Sequence, residues 1–324
     1  MAAYNRSYIR NLKRRRVKHP AYRHCQIYLQ ELYDNSVDSG EEFEYFGAHV
    51  ITAPTRSGKS TAIEDFMANF KNEKVKTPYG EQLTIPVLAL RVRTASTLKQ
   101  FVADLCLLLG IITSIKSTSR AELTLKVLDG LKAAQTKLLI IDEINIVHDA
   151  KGVVESKHIR NFIKELVDEC GIPVVFVGTP DSKSFFKSDG QTNGRVEEYI
   201  EVPPFLAPTS KDTPMFKTSN KYVEYLELDC HLTLSPCIDP LELSQRVYLA
   251  SGGRMGGIKK VFVDCAERAL KAGKTTLTLD DFKASFQRRQ VAFKLPTSAN
   301  PFKLESTSLP DLMKKYPKPL EPRL

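Results

Sequence analysis

No apolar run in this chain approaches the roughly eighteen residues that a bilayer-crossing helix needs, so no transmembrane helix is predicted. The first residues are basic but lack the apolar segment of a secretory signal. The six cysteines, at 25, 106, 170, 230, 237 and 265, form no C-x-x-C pair. Cys230-His231 with Cys237 is the one cluster, and its spacing is not that of a zinc site. This usage predicts reduced, mostly buried thiols in the cytoplasm. There is no internal repeat and no helix-turn-helix pattern for reading bases. What remains is a 324-residue chain, 42% hydrophobic, long enough for one large domain and a smaller one.

Its charge of +9 is unevenly placed. Residues 1–30 hold eight Lys/Arg and no Asp/Glu. Residues 285–324 hold eight Lys/Arg against three acids, which leaves −4 for the stretch between. Basic ends suit a polyanion such as DNA or RNA. In the first arm Lys13, Arg14, Arg15 and Arg16 would meet phosphates while Tyr4, Tyr8 and Tyr22 stack or pack; alternatively the tyrosines dock the arm on a neighbouring subunit.

The middle is organised around Ala53-Pro54-Thr55-Arg56-Ser57-Gly58-Lys59-Ser60. A short apolar run, Ala48 to Thr52, precedes it as a buried strand, and an amphipathic run from Thr61 follows as a helix. Strand, loop, Gly-Lys-Ser and helix in that order make a phosphate-binding loop. Its backbone N–H groups would wrap a β-phosphate at the positive end of the helix. Lys59 would reach the β/γ-phosphates, and the Ser60 hydroxyl would hold Mg²⁺. Ala53 stands where the strict pattern has glycine, so the loop must enter its turn without glycine's freedom. Leu138-Leu139-Ile140-Ile141 is a second buried strand, and Asp142 and Glu143 end it. Asp142 would orient Mg²⁺ and its water, and Glu143 would activate the attacking water.

Further elements follow from periodicity. Pro86 to Val92 reads as a strand. Thr94 to Gly110 reads as a helix, and the next one is capped by Ser119 or Thr118. Glu155 to Cys170 is a helix, Val174 to Thr179 a buried strand and Tyr199 to Val202 a short one. Lys71 to Thr84 reads as a polar connection. Strands alternating with helices predict an α/β fold with a mostly parallel sheet covered on both faces. From Phe205 the β-signal fades into four helices ending near Arg289. The domains expected are a basic arm (1–30), the nucleotide-binding α/β domain (31–205), a small helical lid (206–290) and a Pro-rich basic tail (291–324), extended and disordered when alone.

These motifs resemble those of the AAA+ P-loop NTPases. The loop at 53–60 and Ile140-Ile141-Asp142-Glu143 are similar to that superfamily's two main motifs. Val174 to Pro180 is similar to its sensor strand, Gly194-Arg195 to its arginine-finger region, and Ser251-Gly252-Gly253-Arg254-Met255-Gly256 to its second sensor. Within the superfamily, Phe-Val-Gly-Thr-Pro at 176–180 and Val-Pro-Pro-Phe at 202–205 look most like the transposition regulators of the TnsC/TniB type. That resemblance implies ATP and Mg²⁺ as cofactors and ATP-dependent homo-oligomerisation, in rings or filaments, on double-stranded DNA. It also implies a transposase and a TniQ-type target selector as partners, the latter sometimes with a guide-RNA complex, and a bacterial cytoplasmic protein that joins the nucleoid when DNA-bound.

Carried onto this chain, the resemblance gives Thr179 a role in positioning water or the γ-phosphate. Arg195 would reach a neighbour's γ-phosphate, and Arg254 would contact phosphates from the lid. With the loop 53–60, Thr61 and Arg254 would bind nucleotide. In a ring, Lys99, Lys116 and Arg120 would face the duplex, with Thr118 or Ser119 on phosphates. Blander readings stay open: a turn residue at 179, a solvated Arg195, a helix-start Arg254 and helix-surface charges. A helicase loader or replication initiator of the same superfamily, or a nucleotide-gated scaffold with little catalysis, also fits the residues.

Overall fold

The computed structural model describes residues 5–40, 44–77, 80–93, 97–111, 118–146, 153–287 and 300–314. The chain divides into two compact units. One is His24–Ala53 with Lys59–Val202; the other is Met1–Arg23, Pro54–Gly58 and Pro203–Leu324. Helices α1 (Arg6–Arg14) and α2 (Pro20–Asp38) come first. They are followed by β1 (Ala48–Thr52), α3 (Lys59–Met67), β2 (Glu73–Thr77), β3 (Gly80–Thr84), β4 (Val87–Arg91), α4 (Leu98–Leu108), α5 (Arg120–Ala133), β5 (Leu138–Asp142), β6 (Val174–Gly178) and β7 (Val196–Glu201).

The first unit is an all-parallel sheet in the order β4-β5-β6-β1-β7. The three central strands are buried along their whole length. That is why β5 and β6 read as runs of four apolar residues rather than alternating ones, while β1 buries His49 with a partner, the Tyr28 hydroxyl at 2.7 Å. The edge strand β7 shows partial exposure instead. Helices pack on the sheet through Phe66, Phe101, Val102, Leu105, Leu123, Val127, Phe162 and Leu166, all buried. Thr97 accepts from the Gln100 N–H and caps α4; Ser119 accepts from the Glu122 N–H and caps α5. The expected α/β architecture is therefore present. Residues 94–96, at the expected start of α4, lie outside the described residues.

One expectation is corrected in this unit. β2 (Glu73–Thr77) pairs antiparallel with β3 (Gly80–Thr84), where the sequence predicts only a polar connection. These strands are polar and exposed, so they carry no apolar alternation to betray them. The ladder hydrogen bonds, and Thr84 Oγ1 donating to the Glu73 carbonyl, hold them instead.

The second unit packs the helices Pro214–Cys230, Pro240–Ser251, Met255–Lys271 and Leu279–Gln287 around Tyr222, Leu226, Val247, Phe262 and Phe282. Tyr222 and Phe262 stack with centroids 5.5 Å apart. Both chain ends complete this core. Ile9 and Leu12 of α1 are buried in it. So are Phe302 and Leu309 from the segment 300–314, which forms two short 3₁₀ turns and the helix Leu309–Lys314. Phe302 stacks on Phe282 at 5.5 Å, and buried Arg246 donates to the Pro301 carbonyl at 2.6 Å. Prolines favoured a disordered tail in the sequence, yet apolar side chains spaced among them anchor residues 300–314; residues 295–299 and 315–324 lie outside the described residues. The N-terminal stretch contains a helix with one buried face. Among the described residues no helix is long and apolar enough to cross a membrane.

Candidate phosphate-binding site

In the α/β unit, parallel register brings the carboxyl ends of four strands into line. Thr52 pairs with Gly178, Asp142 with Val177, and Arg91 with Asp142. Ligands of open α/β sheets bind at this edge. The Ser60 hydroxyl donates to Asp142 Oδ2 at 2.8 Å. Lys59 Nζ donates to the Ala53 carbonyl at 2.7 Å, folding back along its own loop. Burial lowers the Lys59 pKa, opposed by the nearby Glu143 and Asp142 carboxylates. Burial raises that of Asp142, opposed first by the Ser60 hydroxyl bond. These four residues, separated in sequence, form one charged cluster.

Glu143 sits just past β5 in the left-handed region, at φ 63°. Its N–H donates to Asp142 Oδ1 at 2.8 Å, and its carboxylate lies 3.5 Å from the Arg91 guanidinium. A glutamate seldom adopts that backbone, and such conformations concentrate at functional sites. Ala53 is buried, donates its N–H to the Gly178 carbonyl at 3.1 Å, and is not among the positive-φ residues. The loop turns instead at Arg56 (φ 68°) and Gly58 (φ 97°). Alanine is thus compatible with the first position, because the left-handed turn comes later.

The loop segment Pro54–Gly58 belongs to the helical unit and is tied there: the Arg56 carbonyl accepts from the Gly256 N–H at 2.7 Å. Ser57 Oγ is buried without a hydrogen-bond partner. The hydroxyl is a donor without an acceptor in this loop. His19 flanks the same segment; its Nε2 would stand 3.9 Å from a Cβ placed on Gly58. His19 Nδ1 accepts from the Tyr22 N–H, and burial pushes its pKa down to about 4, so it is neutral at pH 7.

The other expected residues fare differently. The Thr179 N–H donates to Asn145 Oδ1 at 3.3 Å. Arg195 grips Asp168 with two bonds, at 2.6 and 2.5 Å, and donates to the Gln191 carbonyl at 2.7 Å. Its guanidinium is engaged within its own chain. Arg254 is the N-cap residue of the helix Met255–Lys271. Lys99 is exposed in the first turn of α4, and Arg120 opens α5. Lys116 lies outside the described residues. In the N-terminal stretch Lys13, Arg14 and Arg16 are exposed, but Arg15 is bound to Asp229. Sequence reasoning missed Arg91, Asn145 and His19. Only Arg91 left a signal, since pairing β4 beside β5 puts it opposite Asp142.

A phosphate loop and a strand-end Asp-Glu pair, on a parallel sheet ordered β4-β5-β6-β1-β7 and followed by a helical unit, define the AAA+ type of P-loop fold. Structural neighbours agree. An ORC2 protein of Aeropyrum pernix, solved as ADPNP-ADP complexes, matches with TM-score 0.63 at 13% identity, covering 88% of this chain and 72% of that one. Cdc6p of Pyrobaculum aerophilum matches with TM-score 0.58 at 13% identity over 90% and 71% of the two chains. An Aeropyrum pernix ORC1 protein in complex with DNA matches with TM-score 0.52 at 14% identity over 83% and 64%. The family model described as "Bacterial TniB protein" matches residues 14–205. The chain belongs to the TniB family. No curated protein sequence matches it.

Proposed function

We propose that this TniB-family chain is an ATPase that assembles on double-stranded DNA in a nucleotide-dependent way and links target selection to a transposase. The observation that carries the reading is the convergence of Lys59, Ser60, Asp142 and Glu143 at the carboxyl edge of the sheet. Lys59 binds the β/γ-phosphates once it leaves the Ala53 carbonyl. Glu143 accepts a proton from the attacking water, and Arg91 beside it sets where that carboxylate rests. Thr179, its backbone fixed by Asn145, positions water or the γ-phosphate.

Hydroxyl and carboxylate oxygens at Ser60 and Asp142, 2.8 Å apart, are hard donors of the kind Mg²⁺ takes. Among the described residues no group of three or more His, Cys, Asp or Glu could hold a metal without help. A magnesium ion shared with the phosphates fits such a pair, and it would neutralise charge on the transferring phosphoryl group. Arg195 and Arg254 are proposed to complete the site, Arg195 from a neighbouring copy after release from Asp168. Lys99, Lys116 and Arg120 are proposed to touch DNA phosphates in a sequence-tolerant way. A TniQ-type selector, with or without a guide-RNA complex, is the partner proposed, in the cytoplasm and on the nucleoid.

Glu143→Gln tests the reading. A general base contributes roughly 10²–10⁴-fold, so turnover should fall by that much while ATP binding persists and DNA-bound assemblies accumulate. Undiminished hydrolysis would reject the role of Glu143. A second reading, an initiator-like or helicase-loading ATPase, is favoured by the likeness to the ORC2 and Cdc6p folds. Recovery of a replicative helicase rather than a transposase in a pull-down separates the two.

A further inference from the structure

Helix α1 has two faces with different fates. Ile9 and Leu12 are buried in the core of the helical unit. The Asn5 side chain caps the helix, accepting from the Ser7 N–H at 2.9 Å. Just past its end, Arg15 donates to both carboxylate oxygens of Asp229, at 2.8 and 2.7 Å. The same guanidinium lies 4.9 Å from the Tyr225 ring centroid, and the Arg15 carbonyl accepts from Lys259 Nζ at 3.0 Å. The Tyr8 ring meets His231 edge-on at 5.4 Å. The helix is therefore clamped along its length, all within one unit.

On the other face stand Arg6, Arg10 and Arg14, exposed and spaced i, i+4, i+8. That spacing puts them on successive turns, about 6 Å of rise apart. Among the described residues none of the three has a carboxylate partner. Their neighbours do: Lys13 lies 3.9 Å from Glu267, and Arg15 is taken by Asp229. Three uncompensated guanidinium groups in a row repel one another and add nothing to the core.

We infer that Arg6, Arg10 and Arg14 form a phosphate-contacting ridge for the backbone of duplex DNA, carried by the helical unit and separate from the contacts proposed for the α/β unit. The inference rests on the DNA-binding reading above. A duplex carries a charge about every 1.7 Å of its axis, so a straight row of arginines meets several phosphates wherever it lands. Guanidinium forks suit phosphate oxygens, and a helix already ordered by its other face loses little freedom on binding. An anionic membrane is a poorer match, because an interfacial helix needs its apolar face for the bilayer and here that face is in the protein core.

The test compares the full chain with its Arg6→Gln/Arg10→Gln/Arg14→Gln variant, binding a duplex of roughly 30 base pairs with a slowly hydrolysed ATP analogue over a salt series. Losing three phosphate contacts should make the slope of log K against log salt shallower by about 2.7 and weaken binding roughly a hundredfold near 0.1 M salt. ATP turnover without DNA should not change. A control, Lys71→Gln/Lys76→Gln/Lys303→Gln, removes the same charge from exposed positions elsewhere and should leave the slope nearly intact. An unchanged slope in the ridge variant overturns the ridge alone, and so does an equal loss in both variants. Ridge-dependent binding to anionic phospholipid vesicles without binding to duplex overturns it in favour of a membrane. If the wild-type chain ignores duplex altogether, the DNA reading itself fails and the ridge falls with it.

Discussion

The α/β unit builds its core from short parallel strands, five residues long and buried throughout at β1, β5 and β6. The helical unit closes its core with pieces from opposite ends of the chain: Arg15 and Asp229 are 214 residues apart, and Phe302 packs on Phe282 from beyond a further stretch. Both arrangements join distant stretches, since β1 pairs with β6 and β7, and both carry loop-closure entropy. The difference is that the sheet is closed by whole buried strands, whereas the end segments of the helical unit hold on by a few buried side chains each. The helical unit is therefore the one expected to open locally while the sheet stays protected.

Phe302→Ala would break the helical unit where the segment 300–314 joins it. The ring is 3% exposed, stacked on Phe282 and edge-on to Phe286 at 6.0 Å. Truncation of a buried phenylalanine costs about 3–5 kcal/mol. Hydrogen exchange read segment by segment should show lost protection over residues 240–287 and unchanged protection in β1, β5 and β6. Equal loss in both would mean that the two units melt as one and would erase the contrast.

The same contrast governs what could be read beforehand. Lys59, Ser60, Asp142 and Glu143 were legible because a parallel strand buried on both faces announces itself, and because phosphate chemistry needs fixed residues at its end. The pairing of β2 with β3 was not legible, since these polar strands have no face to bury. Nor was the engagement of Arg195, because a bidentate bond to Asp168 depends on the helix Val153–Glu169 lying beside the start of β7. The docking of α1 left half a signal: its basic side dominated the composition, while Ile9 and Leu12 gave only two apolar positions.

Acid offers a gentler way to loosen the helical unit. His19 is buried beside Phe205, centroids 5.1 Å apart, with its pKa held near 4 against 6.5 for a free histidine. Its folded value lies below its unfolded one, so the unfolded chain binds the extra proton. Stability should then fall as pH drops from about 6.5 to about 4, by about 3 kcal/mol from this residue. His19→Asn keeps an acceptor for the Tyr22 N–H but cannot titrate. Unfolding free energies from urea titrations should fall by about 2.5 kcal/mol less between pH 7 and pH 4.5 in the variant than in wild type; parallel curves would show that His19 is not the group responsible.

The smallest effect isolates the role of distance. Gln135 and His231 both follow helices in the left-handed region, at φ 52° and 54°, and both are exposed. A non-glycine residue there costs about 1 kcal/mol, which glycine avoids. Among the described residues Gln135, after α5, has only local hydrogen bonding, its N–H to the Lys132 carbonyl at 3.0 Å. Gln135→Gly should therefore gain stability of about that size. His231 has the same backbone but also carries the edge-on contact to Tyr8 of α1, a pair of a kind worth about 0.5–1.5 kcal/mol. In His231→Gly the relief of backbone strain and the loss of the ring should nearly cancel. Thermal unfolding of the two variants side by side measures the difference directly. Equal gains would mean that the ring contact of His231 with Tyr8 contributes nothing to holding α1 on the helical unit.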